Sequence, residues 1–228
     1  PDRPRCRHDD QVTLMSFAGR TWLFDLDNTL HNATPHIFPH INRSMRQYIE
    51  RHLGVDESEA TRIRQDYWIR YGATLRGLMR DHGTDPKHFL WETHQFPDLR
   101  RMLDFEKPML HILRKLPGKK ILFSNAPRHY TDAILEMTGL DRYFSATYTV
   151  ENLRFQPKPM LAGFRTLLRA EHLDPKRCIM VEDSLPNLIS AKKLGMKTVW
   201  VSTSLRQSPF VDTKIKSVLQ LPERCGRL

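Results

Sequence analysis

Five short runs of apolar, β-branched or aromatic residues recur along this 228-residue chain, each bounded by polar residues, and they constrain the fold more than any other feature. They are TWLFD (21–25), KILFS (120–124), ATYTV (146–150), CIMVE (178–182) and KTVWV (197–201). Runs this short and this apolar suit strands buried on both faces, as in a parallel sheet. Helix-like stretches at 127–138, 160–171 and 185–195 lie between or after the later runs, with Gly139 and Gly195 where helix C-terminal glycines are expected. Such alternation predicts an α/β fold with a doubly wound parallel sheet.

The spacing is uneven. Between the first two runs lie 94 residues, far more than one crossover helix needs. INRSMRQYIERHLG, ESEATRIRQDYWIRYG and LRGLMRDHG, all within that interval, carry apolar positions three and four apart, as amphipathic helices do. Residues 36–107 therefore read as an all-helical domain inserted after the first strand, with hinges near Pro35–Pro39 and Lys107–Pro108. Residues 21–35 and 108–205 form the α/β core domain, 1–20 an N-terminal arm, and 206–228 a tail that wraps the core or is partly disordered. Trp68 and Ile69 read as packing within the insertion, and Trp91, Phe96, Met102 and Phe105 as core. No internal repeat is visible.

Composition excludes several classes. No apolar run approaches the roughly 18 residues that cross a bilayer, so no membrane partner is expected. Cys6, Cys178 and Cys225 are far apart and odd in number, giving neither a disulfide framework nor a metal knuckle. A reducing, cytoplasmic setting is the expectation, and the polar N-terminus has no signal-like apolar core. The net charge of +10 lies in residues 111–228, which hold twenty basic and ten acidic groups. That surplus suggests a nucleic-acid-binding module as a remote alternative, but no zinc-finger spacing, RNP-like signature or helix-turn-helix accompanies it. A solvated basic surface is the plainer reading, and a basic surround that steers small dianions toward an acidic centre is a further hypothesis.

Polar groups stand where the strands end. Asp25 and Asp27 close the first run, in FDLDNTL; Ser124-Asn125 follow KILF; Lys158 follows the third run in QPKP; Glu182-Asp183 follow CIMV. A DxD alone is weak, since sixteen Asp give roughly one by chance, and Asp27, Asn28, Ser124 or Asp183 could each cap a helix instead. In open α/β sheets, however, ligands bind beyond the carboxyl ends of strands. There the chain offers carboxylates suited to Mg²⁺, a hydroxyl and one ammonium.

In that order, Asp25-Leu26-Asp27-Asn28-Thr29, Ser124-Asn125, Lys158 and Glu182-Asp183 resemble the four motifs of the haloacid dehalogenase-like hydrolase superfamily, over about residues 21–202. The insertion resembles its type-1 helical cap. YGATLRGLM, SNAPRHYTDAIL and VEDSLPNLISAKKLGMKTVWV are similar to pyrimidine 5′-nucleotidases, although that family more often has Asp where Glu182 stands.

The resemblance implies a Mg²⁺-dependent phosphatase with a Rossmann-like core. Asp25 would be the nucleophile and Asp27 the general acid and base. Ser124, Asn125 and Lys158 would hold the phosphoryl oxygens. Mg²⁺ would take Asp25, the Asp27 carbonyl and Asp183, with Glu182 in direct contact or one step behind. Substrate choice is assigned to Tyr71, Thr74 and Leu75 in the insertion, and to His31, Arg128 and His129 at the mouth. Nucleoside 5′-monophosphates, pyrimidine ones first, are the expected substrates of a monomer or homodimer with no nucleic-acid partner. Phosphoglycolate, a sugar phosphate or pyridoxal phosphate is the alternative, and a phosphomutase is less favoured.

Overall fold

The computed structural model describes residues 19–224, so most of the N-terminal arm assigned to 1–20, with Cys6 and Cys225, lies outside the described residues. Six strands form one sheet: β1 (Thr21–Phe24), β2 (Lys119–Phe123), β3 (Ala146–Tyr148), β4 (Cys178–Glu182), β5 (Lys197–Val201) and β6 (Thr213–Ile215). Their order is β3-β2-β1-β4-β5-β6 and every pair is parallel. The chain moves outward from β1 to β3, then crosses back to place β4 on the other side of β1. That reversal makes the carboxyl end of β1 the switch point where open α/β sheets bind ligands.

Alternating strand residues feed two apolar layers. Trp22, Phe24, Leu122, Ile179 and Val181 face one layer, packed by α6 (Pro108–Lys115) and α7 (Arg128–Thr138). Leu23, Ile121, Phe123 and Met180 face the other, covered by α8 (Leu161–Ala170) and α9 (Leu185–Lys193). With helices on both faces, the central strands β1 and β4 are buried along their whole length, which explains their continuous apolar character.

Five helices fill the interval after β1: α1 (Ile37–Leu53), α2 (Glu57–Tyr71), α3 (Thr74–His82), α4 (Pro86–Thr93) and α5 (Leu99–Met102). Tyr48, Ile49, Ala60, Tyr67, Leu78 and Phe89 form a third apolar cluster of their own, while Ile37, Ile41 and Leu99 join the main core. At Gly77 the α2–α3 crossing is so close that a Cβ would stand 2.1 Å from Tyr67 Cγ, so no larger residue fits without a shift.

Several expectations need correction. Pro39 lies within α1 and not in the connection before it; it sits in the first turn, where the helical N–H groups have no intrahelical acceptor and proline loses nothing. Among its described residues, the tail after 205 does more than wrap the core. Residues 213–215 add β6, and Val218 and Leu221 of α10 (Leu221–Arg224) and the turn before it are buried. Trp68, Ile69 and Trp91 are 63%, 74% and 58% exposed, on outward helix faces, so none is core. Phe96, Met102 and Phe105 are partly buried against the main core.

Candidate active site

The register of the sheet brings the strand-end groups together. Phe24 pairs with Leu122 and Val181, so Asp25 stands level with the ends of β2 and β4, and its N–H donates to Val181 O at 3.0 Å. Thr29 and Leu30 N–H donate back to Leu26 O, closing a tight turn after the strand. Asn28 takes the left-handed conformation (φ 59°), which Asn tolerates better than most side chains, and its Oδ1 accepts from Ala33 N–H and Thr34 Oγ1. The turn returns His31 to Asp27, with Nε2 3.0 Å from Asp27 Oδ1.

Two residues not singled out from the sequence complete the surroundings of Asp27. Tyr130 Oη, from α7, donates to Asp27 Oδ1 at 2.6 Å. His94, at the end of α4, is buried with its ring 5.9 Å from that of Tyr130. Burial alone would raise the Asp27 pKa, but the His31 and Tyr130 bonds and the nearby His94 hold it below the ordinary carboxylate value.

Lys158 is almost completely buried, and its Nζ donates to Asp25 Oδ1 at 2.7 Å and Glu182 Oε2 at 2.6 Å. Burial works against its charge, yet the two carboxylates more than offset this and raise its pKa. Asn125 fixes its backbone: Oδ1 accepts from Lys158 N–H at 2.8 Å and Nδ2 donates to Lys158 O at 2.9 Å. The Asn125 side chain is thus committed to the Lys158 loop, leaving its backbone N–H as the group it can offer a phosphoryl oxygen. Buried Ser124 accepts at Oγ from Ala126 N–H at 3.0 Å, which leaves its own hydrogen to donate.

The acidic groups carry more charge than the protein neutralises. Burial, with repulsion from Glu182, pushes Asp25 up to about 7; burial likewise pushes Glu182 to about 7 and Asp183 to about 6. Asp25, Glu182 and Asp183 each offer an oxygen within 4.8 Å of the others. Three carboxylates beside one buried ammonium leave a deficit of two positive charges, and an all-oxygen donor set fits a hard divalent cation such as Mg²⁺. Glu182 has both oxygens engaged, Oε2 by Lys158 and Oε1 by Ser184 N–H at 3.2 Å, which puts it behind Asp25 and Asp183 as a ligand.

The expected substrate-side residues divide. His31 lies beside Asp27. His129 Nε2 contacts His94 O at 3.3 Å, and its ring is 5.0 Å from Trp91. Arg128 is turned to Thr147 O, Asn152 and Asp132. Leu75 and Thr74 point into the insertion, Leu75 into its apolar cluster and Thr74 Oγ1 to Arg64 O. Tyr71 reaches Asp81, with Arg80 over its ring. The turn they belong to nonetheless crosses the Lys158 loop, since a Cβ on Gly72 would sit 3.5 Å from Pro159. A cavity of about 740 Å³ adjoins the carboxylates and is lined by Asn28, Thr29, His31, Thr34, Asp183 and Lys216.

Much of the basic surplus lies at the other edge of the sheet. Lys119, Lys120 and Lys197 begin β2 and β5, Lys176 and Arg177 precede β4, and Arg114, Lys115, Arg169, Lys192 and Lys193 fall in last helical turns. Cations there complement the negative helix ends. The expected basic surround of the acidic centre is not built from them.

The family model described as haloacid dehalogenase-like hydrolase matches residues 20–195. Phosphate metabolism protein 8 of Saccharomyces cerevisiae is 25% identical over 78% of this chain, which spans 60% of that relative's length. Phosphoglycolate phosphatase of Caulobacter vibrioides is 24% identical over 93% of both chains. Among solved structures, a phosphatase from Thermococcus onnurineus superposes with a TM-score of 0.63 at 22% identity, covering 90% of this chain and 96% of that one.

Proposed function

The chain belongs to the haloacid dehalogenase-like hydrolases, and from that premise we propose a Mg²⁺-dependent cytoplasmic phosphatase of small phosphate monoesters, with nucleoside 5′-monophosphates, pyrimidine ones first, as substrates. One observation carries the phosphatase reading: a second carboxylate, Asp27, stands two residues beyond Asp25 and is held by Tyr130 and His31. Hydrolysis of a phosphoenzyme needs such a group to move a proton twice.

Asp25 attacks phosphorus as the ester P–O bond breaks, forming an aspartyl-phosphate. Asp27 gives the leaving oxygen its proton, then takes one from the water that hydrolyses the intermediate, releasing inorganic phosphate and restoring Asp25. Lys158, the Ser124 hydroxyl and the Asn125 N–H hold the phosphoryl oxygens. Asp25, Asp183 and the Asp27 carbonyl would hold Mg²⁺, which supplies neutralising charge to nucleophile and phosphate. Residues 36–107 serve as a type-1 cap whose Tyr71–Leu75 segment screens the leaving group; its crossing of the Lys158–Pro159 loop supports this.

The Caulobacter relative favours a second reading, with phosphoglycolate as substrate. Phosphate release with Mg²⁺ across UMP, CMP, dUMP, AMP, GMP, phosphoglycolate and pyridoxal phosphate separates the two. Preference for UMP or CMP is expected. Strong phosphoglycolate turnover with a flat nucleotide response would overturn the nucleotidase reading, and inactivity on every ester would overturn the phosphatase.

A further inference from the structure

A second set of donors gathers in the helical insertion, apart from the strand-end carboxylates. His52 lies in the last turn of α1, and His88 and Glu92 stand four residues apart on one face of α4. One ligand atom from each lies within 4.8 Å of the others. His88 Nε2 is 3.2 Å from Glu92 Oε1. Around an ion with bonds of about 2.0–2.1 Å, neighbouring tetrahedral ligands stand about 3.3 Å apart, so this pair already has the spacing of two ligands on one ion.

The remaining polar atoms of His88 and Glu92 have partners of their own, and the His52 ring is held by stacking. His88 Nδ1 is 3.1 Å from Tyr48 Oη, which leaves Nε2 as the ligating nitrogen. Glu92 Oε2 accepts from Arg51 at 2.7 Å, which leaves Oε1. The His52 ring stacks on Tyr48 at 4.0 Å, so one phenol orients both imidazoles. Outer partners of this kind set ring orientation and ligand basicity in metal sites. A simple ion pair between His88 and Glu92 would leave His52 and its stacking with no part in the arrangement.

The geometry points to a transition-metal site formed by His52, His88 and Glu92 that fastens the end of α1 to α4. Two imidazole nitrogens and one carboxylate oxygen select a first-row ion such as Zn²⁺ over Mg²⁺ or Ca²⁺, with water filling the remaining position. The bound ion replaces the proton between Nε2 and Oε1. Phosphoryl transfer uses none of these residues, so the site stands whether or not the proposed substrate is correct.

Titrating the full chain with Co²⁺ in saturating Mg²⁺ tests this, read by the visible absorption of low-symmetry Co²⁺ and by its loss when Zn²⁺ displaces it. One equivalent should bind. His52→Ala and His88→Ala should each weaken binding at least about tenfold, and Tyr48→Phe about 10–100-fold, as expected for the loss of an outer partner. Asp183→Asn should leave the Co²⁺ signal unchanged. Zn²⁺ should raise the Tm of the wild type and not that of His88→Ala. If His88→Ala fails to fold, Glu92→Gln serves in its place. Equal Co²⁺ affinity in the wild type and the histidine variants, or loss of the signal in Asp183→Asn, would overturn the site.

Discussion

Tyr130 Oη and Asp27 Oδ1 are joined by a 2.6 Å hydrogen bond across 103 residues of sequence. Burial and the Asp27 charge push the Tyr130 phenol well above its ordinary pKa, so it remains a donor throughout the working range. With His31 on the same oxygen, the bond fixes one side of the carboxylate and leaves the other for the proposed proton transfer. Tyr130→Phe removes the donor with little change of shape. A hydrogen bond to a charged group contributes about 1.5–3 kcal/mol, so kcat should fall about 10–100-fold with KM little moved. A raised KM at unchanged kcat, measured by Mg²⁺-saturated phosphate release, would assign Tyr130 to substrate binding instead.

The roles of the two aspartates differ in kind, and so should their losses. Asp25→Asn is expected to abolish turnover, because no other side chain replaces the attacking oxygen. Asp27→Asn should cost about 10²–10⁴-fold, the usual contribution of a positioned acid and base. Ser124→Ala should cost roughly 10²–10³-fold as a lost oxyanion donor. Single-turnover phosphate release checks all three, and wild-type turnover by Asp25→Asn would remove the nucleophile assignment.

Glu182 and Asp183 are adjacent carboxylates with different duties. Lys158 and Ser184 N–H occupy both Glu182 oxygens, while Asp183 borders the cavity. Mg²⁺ titrations of activity should therefore show Asp183→Asn losing activation almost entirely. Glu182→Gln, which retains the shape but removes a charge from Lys158, should weaken Mg²⁺ about 10–100-fold. Equal loss in both variants would make Glu182 a direct ligand.

The strand-end groups were legible because each follows a short apolar run, and a parallel sheet gathers such ends at one edge. Tyr130 and His94 were not, since their proximity to Asp27 depends on how α7 and α4 pack, and no local spacing records contacts so distant in sequence. Asn125 was found as a motif residue, but its bonds to both backbone groups of Lys158 arise only when the β2 and β3 ends meet. β6 escaped notice because three residues, TKI, are too short to show a period. Trp68, Ile69 and Trp91 misled because large apolar side chains are usually buried.

His94 gives the protein an acid-sensitive element. Burial drives its pKa down to about 4, with Asp27 opposing in part. The unfolded chain takes up this proton near pH 6.5, so between pH 6.5 and 4 the unfolded state binds more protons and stability falls as pH drops. The full difference is at most about 3 kcal/mol. Urea unfolding at about pH 7.5 and pH 5 should show the wild type losing about 2 kcal/mol more than His94→Gln. Parallel losses in the two proteins would mean that His94 titrates normally in the fold.

Gly77 ties the packing of the insertion to the site beneath it. An added Cβ would meet Tyr67 Cγ at 2.1 Å and Cβ at 2.6 Å, and both belong to the rigid stem of that side chain. Relief requires α3 to move away from α2, and the turn joining them is the one that passes over Pro159 at Gly72. Overpacking of this kind costs about 1–3 kcal/mol, and a chain of this size loses about 2–4 °C of Tm per kcal/mol. Gly77→Ala should therefore lower Tm by roughly 2–12 °C and, if the turn screens the leaving group as proposed, raise KM more than it lowers kcat. Calorimetry gives the first quantity and initial rates the second. A lowered Tm with unchanged KM would separate the α2–α3 turn from substrate recognition.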